Sequence, residues 1–224
     1  MESIIITVIT SVTSIIVTLI TAGYFKKWLD EKHQSHSKRK LMNQINKDEL
    51  VHLTVEEIKN EYEADRVYLI QFHNGGTFYT NSPMQKASVT YERTSDGLEP
   101  LSNNMVNFFV SHYTSLIKAT IENKFFYTDI EKIEDITTKA LLRKTSTQAS
   151  ASIPIYDRGS SKFGSPNGNL IGILVIDWVF SDVPERFVKS SANTIASGCC
   201  FTEEFKEHLL QNGESVANLI KQNQ

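Results

Sequence analysis

Apolar and polar positions divide the chain into one long oily run, several short alternating stretches and a few stripes of helical period. No charged residue occurs between Glu2 and Lys26, and Ile4 to Phe25 carries about eleven aliphatic side chains. At 1.5 Å per residue a helix of that length crosses a hydrocarbon core of about 30 Å. The pattern predicts a short tail over 1–3 and a transmembrane helix over 4–25. Leu41, Ile45, Val51, Val55, Ile58 and Tyr62 return on one helical face, with Glu56, Glu57, Lys59 and Glu61 opposite, which predicts an amphipathic helix ending near Asp65. Arg66–Phe72 and Ala87–Arg93 alternate as strands do. Asn104–Glu122 reads as a helix with Val106, Phe109, Val110, Tyr113 and Ile117 inward; Phe125–Asp129 as a short edge strand; Ile130–Arg143 as mostly helical. Leu170–Phe180 is nearly all apolar and β-branched, the composition of a strand covered on both faces. Across the Gly/Ser-rich gap RGSSKFGSPNG it faces Thr147–Asp157, and the two predict a hairpin in the middle of a sheet. Pro184–Leu210 predicts a closing helix, and 213–224 a polar tail.

That order of elements predicts an α+β fold: a central antiparallel sheet of five to six strands, flanked by its first and last helices, over residues 41–212. Residues 26–40 form a basic juxtamembrane linker. Lys26, Lys27, Lys38, Arg39 and Lys40 all follow the oily run and nothing basic precedes it. The positive-inside rule then places the domain in the cytoplasm, behind a single pass through the inner (plasma) membrane, with the basic residues near lipid headgroups. A cleaved signal peptide, the rival reading, would want a basic start and a shorter apolar core. Thr7, Ser11, Ser14, Thr18 and Thr21 recur every three or four residues. Such a stripe of small polar side chains suits self-association of membrane helices into a homo-oligomer. Hydroxyls bonded back to their own helix, or a stripe facing water in a pore, are the alternatives.

Composition narrows the function classes. A formal net charge of −3 gives no case for nucleic acid as a partner. The two cysteines, Cys199 and Cys200, are adjacent and supply no disulfide framework. No nucleophile–base motif, phosphate loop or metal-ligand spacing is present; His33 and His36 make only a pair. The expectation is a protein that is not an enzyme and holds no metal or cofactor.

The best candidate for ligand binding is His73-Asn74-Gly75-Gly76, read as a turn, with Phe78 after it. Glycine N–H groups can approach an anion closely, His73 can titrate near neutrality, and Asn74 and Phe78 can bond and stack on a ring. Turn chemistry alone also accounts for the Asn and the glycines. Tyr91 and Glu92 lie on opposite faces of the next strand; Glu92 either points inward to a partner or is a surface charge. Asp177 interrupts an apolar strand, and either meets a donor in the pocket or caps the strand end. These eight residues form the candidate site for a small molecule or a regulatory protein.

EYEADRVYLIQFHN, then ASIPIYD, then GNLIGILVIDW before a closing helix, resembles a GAF domain over residues 41–212. The resemblance implies a small-molecule-sensing module whose pocket lies between the sheet and the elements of roughly residues 73–143. Cyclic-nucleotide-binding members carry a dispersed Asn-Lys…Phe…Asp-Glu motif; Asn123, Lys124, Phe125 and Asp129 are too closely spaced, and Ile130 replaces the Glu. Bilin-binding members use a pocket Cys, which Cys199 and Cys200 on the closing helix do not match. The same closing pattern behind one N-terminal span also resembles the T-type holins of tailed phages. That resemblance implies membrane helices that assemble into a lesion and a soluble domain outside the cytoplasm.

Overall fold

The computed structural model describes residues 2–77, 83–122, 125–157, 169–189 and 201–221; among these, the side chains of residues 2–11, 15, 16, 19, 29, 31, 34, 36, 74–77, 83, 84, 157 and 169 lie outside the description. The chain divides into two compact units, Met1–Asn46 and Lys47–Gln224. Helix α1 is Glu2–Glu61. In the first unit Val12, Val17, Ile20, Tyr24, Phe25 and Trp28 are exposed, and so are Leu41 and Ile45, which the sequence pattern placed on the buried stripe. Among the described residues no helix is long and apolar enough to cross a membrane. The span expected over 4–25 includes many positions whose side chains are outside the described set, Thr7 and Ser11 among them. Of the expected hydroxyl stripe, Ser14 is exposed. Thr18 donates to the Ser14 carbonyl at 2.8 Å, and Thr21 to those of Val17 and Thr18 at 2.8 and 3.0 Å. This is the geometry of hydroxyls satisfied by their own helix.

The second unit is built on a six-stranded sheet of order β3-β2-β1-β6-β5-β4, every neighbour antiparallel. The strands are β1 (Arg66–Thr77), β2 (Pro83–Thr94), β3 (Phe108–Phe109), β4 (Phe126–Tyr127), β5 (Ala149–Asp157) and β6 (Asn169–Trp178). The apolar β6 lies between β1 and β5, so the hairpin expected from the sequence does sit mid-sheet. At Gly172 a side chain would place its Cβ 2.5 Å from the Ile70 carbonyl oxygen, which is why this otherwise bulky strand carries a glycine there.

Strand alternation sends the two sets of β1, β5 and β6 side chains to opposite faces. Val67, Leu69, Ala151, Ile153, Leu174, Ile176 and Trp178 pack against Val51, Val55, Ile58 and Tyr62 of α1, and against Phe205, Leu209, Val216 and Ile220 of the closing helix α4 (Glu203–Lys221). Tyr62 ties the two helices together. Its ring meets Phe205 edge-on at 5.1 Å and its hydroxyl accepts from Asn212 Nδ2 at 3.1 Å. Tyr68, Ile70, Ile173 and Val175 face the other way, toward Leu101 and Met105. That second face is closed by α2 (Thr114–Ile121), α3 (Ile136–Lys144) and the loops between them, around Leu116, Phe125, Ile130, Ile133 and Leu142.

Three sequence expectations change. The single helix over 104–122 is instead a turn, the edge strand β3, a 3-10 turn Val110–Tyr113 and only then α2. Asn107 takes a left-handed φ of 55°, and Phe108 pairs with Ala87, so the chain is extended where helical period was read. The closing helix starts at Glu203 rather than near Pro184; residues 190–200, with Cys199 and Cys200, lie outside the described residues. In place of a polar tail from 213, α4 continues to Lys221, because Val216, Ala217 and Ile220 supply a further apolar stripe that the core buries.

Candidate functional site

The second face of the sheet holds a buried ion pair. Arg66 opens β1 and Asp177 lies opposite it near the end of β6. Both Arg66 Nε and Nη2 donate to Asp177 Oδ2, at 3.3 and 3.2 Å, and Nη2 also donates to Thr147 Oγ1 at 3.1 Å. Ser150 donates to the other carboxylate oxygen at 2.7 Å. Burial pushes the Asp177 carboxyl above its ordinary range, while the Arg66 guanidinium and the Ser150 and Thr147 hydroxyls act against that rise. Tyr68, two residues along from Arg66, is raised as well, by burial first and then by the Asp177 charge.

Above this pair opens a cavity of about 420 Å³, within the range of small-molecule sites. Arg66 forms part of its wall, Leu98, Leu101 and Met105 another, and Leu141 and Lys144 of α3 a third. Each wall has a local cause. The turn Ser95–Leu98 is closed by the Leu98 N–H on the Ser95 carbonyl, and Gly97 at φ 88° takes the left-handed position such a turn requires. The short helix Leu101–Asn103 has its first N–H groups capped by Glu92, whose two carboxylate oxygens accept from Leu101 N and Ser102 N at 2.8 Å each. The end of α3 is turned by Ser146 at φ 56°, with the Thr147 N–H returning to the Leu142 carbonyl.

The eight residues singled out from sequence do not converge. His73, Asn74, Gly75 and Gly76 belong to β1, not to a turn: His73 pairs with Lys86 and Asn74 with Gln85, and the register shifts between Asn74 and Thr77. Pairing with the start of β2 extends the strand through the glycines. The side chains of Asn74, Gly75 and Gly76, and all of Phe78, lie outside the described residues. His73 Nε2 meets Ser88 Oγ at 2.9 Å. It is seven positions along β1 from Arg66, roughly 23 Å at about 3.3 Å per residue. Tyr91 turns to the helical face, where its hydroxyl donates to Asp48 Oδ1 at 2.6 Å and its ring meets His52 at 5.1 Å. Glu92 is half-buried and is the cap just described, rather than a surface charge. Among the described residues none of the eight lines the cavity; Asp177 bears on it only through Arg66, with which it pairs rather than capping the strand. Among the described residues no three His, Cys, Asp or Glu side chains cluster as metal ligands would.

Sequence reading missed Arg66, Leu101, Met105, Leu141 and Lys144. A signal for the first existed, since Arg66 and Asp177 each place a charge at the outer end of an apolar strand, and two opposite charges so placed mark a candidate cross-strand pair.

No protein-family model and no curated protein sequence matches the chain. Solved structures do. The PixJ GAF domain of Thermosynechococcus elongatus, in its blue-light-absorbing form, superposes with a TM-score of 0.54 at 12% identity, over 79% of this chain and 86% of that one. A phycocyanobilin-bound GAF domain of a cyanobacterial phytochrome gives 0.52 at 16%, over 83% and 92%. The GAF domain region of a Geobacter sulfurreducens PCA protein, one named as a membrane protein, gives 0.51 at 16%, over 81% and 97%. The fold is GAF-like. At these identities the likeness concerns the fold alone. Within that GAF-like frame the cavity lies on the face of the sheet opposite α1 and α4, with walls drawn from residues 97–105 and 141–146.

Proposed function

We propose that the chain is a membrane-anchored sensory or regulatory module. Its GAF-like domain takes a small molecule in the cavity beside Arg66, and its N-terminal run fixes the domain to the cytoplasmic side of a membrane and self-associates there. The cavity carries this reading. It is open, it combines apolar walls with a few polar groups, and the segments forming it are fixed by Glu92 and by the α3 turn. Anchoring rests on the uncharged stretch between Glu2 and Lys26 and on the basic residues that follow it.

The test uses the full chain, purified in detergent from its expression host and opened in the mass spectrometer. The native protein releases a small molecule, and Leu98→Trp, which fills the cavity from a half-buried position, releases none. Equal release from both, or from neither, contradicts the reading.

A further inference from the structure

The cavity has a chemical bias. Nε and Nη2 of Arg66 are occupied by Asp177, Thr147 and the Thr145 carbonyl. Nη1 makes no hydrogen bond to any described residue. The buried side-chain atoms without a partner are His52 Nδ1 and Thr138 Oγ1, and Nη1 is not among them. Arg66 lines the cavity, and Nη1 is the one guanidinium nitrogen that the described residues leave for a ligand there. Lys144 lines the same space and makes no ion pair with any described residue. Glu99 is the one carboxylate on the described wall; it is exposed and accepts from Asn104 Nδ2 at 3.2 Å. Leu98, Leu101, Met105 and Leu141 supply the apolar part of the lining, beside polar groups of Tyr113, Thr145 and Ser146.

We infer that the cavity selects small amphiphilic anions: a carboxylate or phosphate monoester whose charged oxygens meet Arg66 Nη1 and Lys144 Nζ, and whose carbon skeleton lies on those four side chains. The guanidinium is rigid and always charged, so Nη1 donates from a fixed plane, and its orientation is set in advance by Asp177. A cation already held in place loses little freedom on binding, and a partly enclosed site strengthens its attraction for the anion. A neutral amide of the same shape gains the apolar contact but not the charge. This inference rests on the cavity being the ligand site.

Matched probes test it on the full chain in detergent, with methyl resonances of Leu98, Leu101, Met105 and Leu141 as the readout. Phenylacetate and phenyl phosphate shift those methyls and bind at least about tenfold tighter than phenylacetamide, a difference that one additional charged contact supplies. Lys144→Gln, an exposed position, removes the preference for acid over amide. Equal affinity of acid and amide at the same methyls overturns the anion inference while leaving the cavity as the site. No shift by either acid up to about 10 mM, weaker than the usual millimolar limit for small probes, also overturns it. In that case release of a small molecule from the native chain but not from Leu98→Trp still separates the cavity reading from the charge reading.

Discussion

Arg66 and Asp177 sit side by side on adjacent strands, Nη2 at 3.2 Å from Oδ2, with side chains 2% and 0% exposed. A pair so enclosed gives little net stability, because both ions have left water, yet removing one partner strands the other. Arg66→Met and Asp177→Leu should each cost about 3–5 kcal/mol in denaturant unfolding, and the double variant far less than their sum. Additive losses would mean that the two side chains do not depend on each other.

Asp65 is held differently. Its Oδ2 accepts from the backbone N–H groups of Val179, Phe180 and Ser181 at 2.7–2.8 Å, fixing the chain as it leaves β6. Burial favours its neutral form, but the Ser181, Val179 and Phe180 N–H groups together outweigh burial and hold the carboxyl below its usual range. A folded pKa below the unfolded value of about 3.9 gives stability that is complete above that value and is lost as pH falls through the folded one. Asp65→Asn should therefore lower stability at neutral pH by about 1–3 kcal/mol and flatten the acid limb of the stability profile. An unchanged limb in calorimetry from neutral pH down would assign the acid loss to other groups.

The close passage of β6 over β1 makes a third expectation. Gly172→Ala sets a Cβ against the backbone of Ile70, with no flexible side chain to yield, and overpacking of that kind costs about 1–3 kcal/mol. Gly97→Ala acts by another route, strain at φ 88°, with open space around it. Melting temperatures of the two variants check this, and a neutral Gly172→Ala would mean that the strands stand further apart.

Much of the fold was legible in the chain, because strands and buried helices announce themselves by period. Ile153 and Leu174 on one face, Ile173 and Val175 on the other, explain why the β5–β6 hairpin was evident. The segment from Asn104 to Tyr113 was not, since Val106, Phe109, Val110 and Tyr113 satisfy a helical period, yet Phe108 and Phe109 are recruited as an edge strand by Ala87 and Lys86. Tertiary pairing overrode local pattern there. The site was legible only at Asp177. The cavity lining comes from five separate stretches, and the His73-Asn74-Gly75-Gly76 signal lost its turn character once β2 paired with it.

The proposed topology rests on the basic residues after the N-terminal run. In spheroplasts, protease added outside should leave residues 47–221 intact and cut them only after lysis. Cleavage in intact spheroplasts would reverse the orientation and favour a holin-like arrangement.

The most direct measurement is a pair of spectra of the full chain in detergent, with labelled methyl groups and histidine rings, before and after removal of any small molecule it retains. Changes centred on Leu98, Leu101, Met105 and Leu141, with the His73 ring unmoved, are the predicted result. Changes centred on His73, or none at either place, would contradict a ligand site beside Arg66.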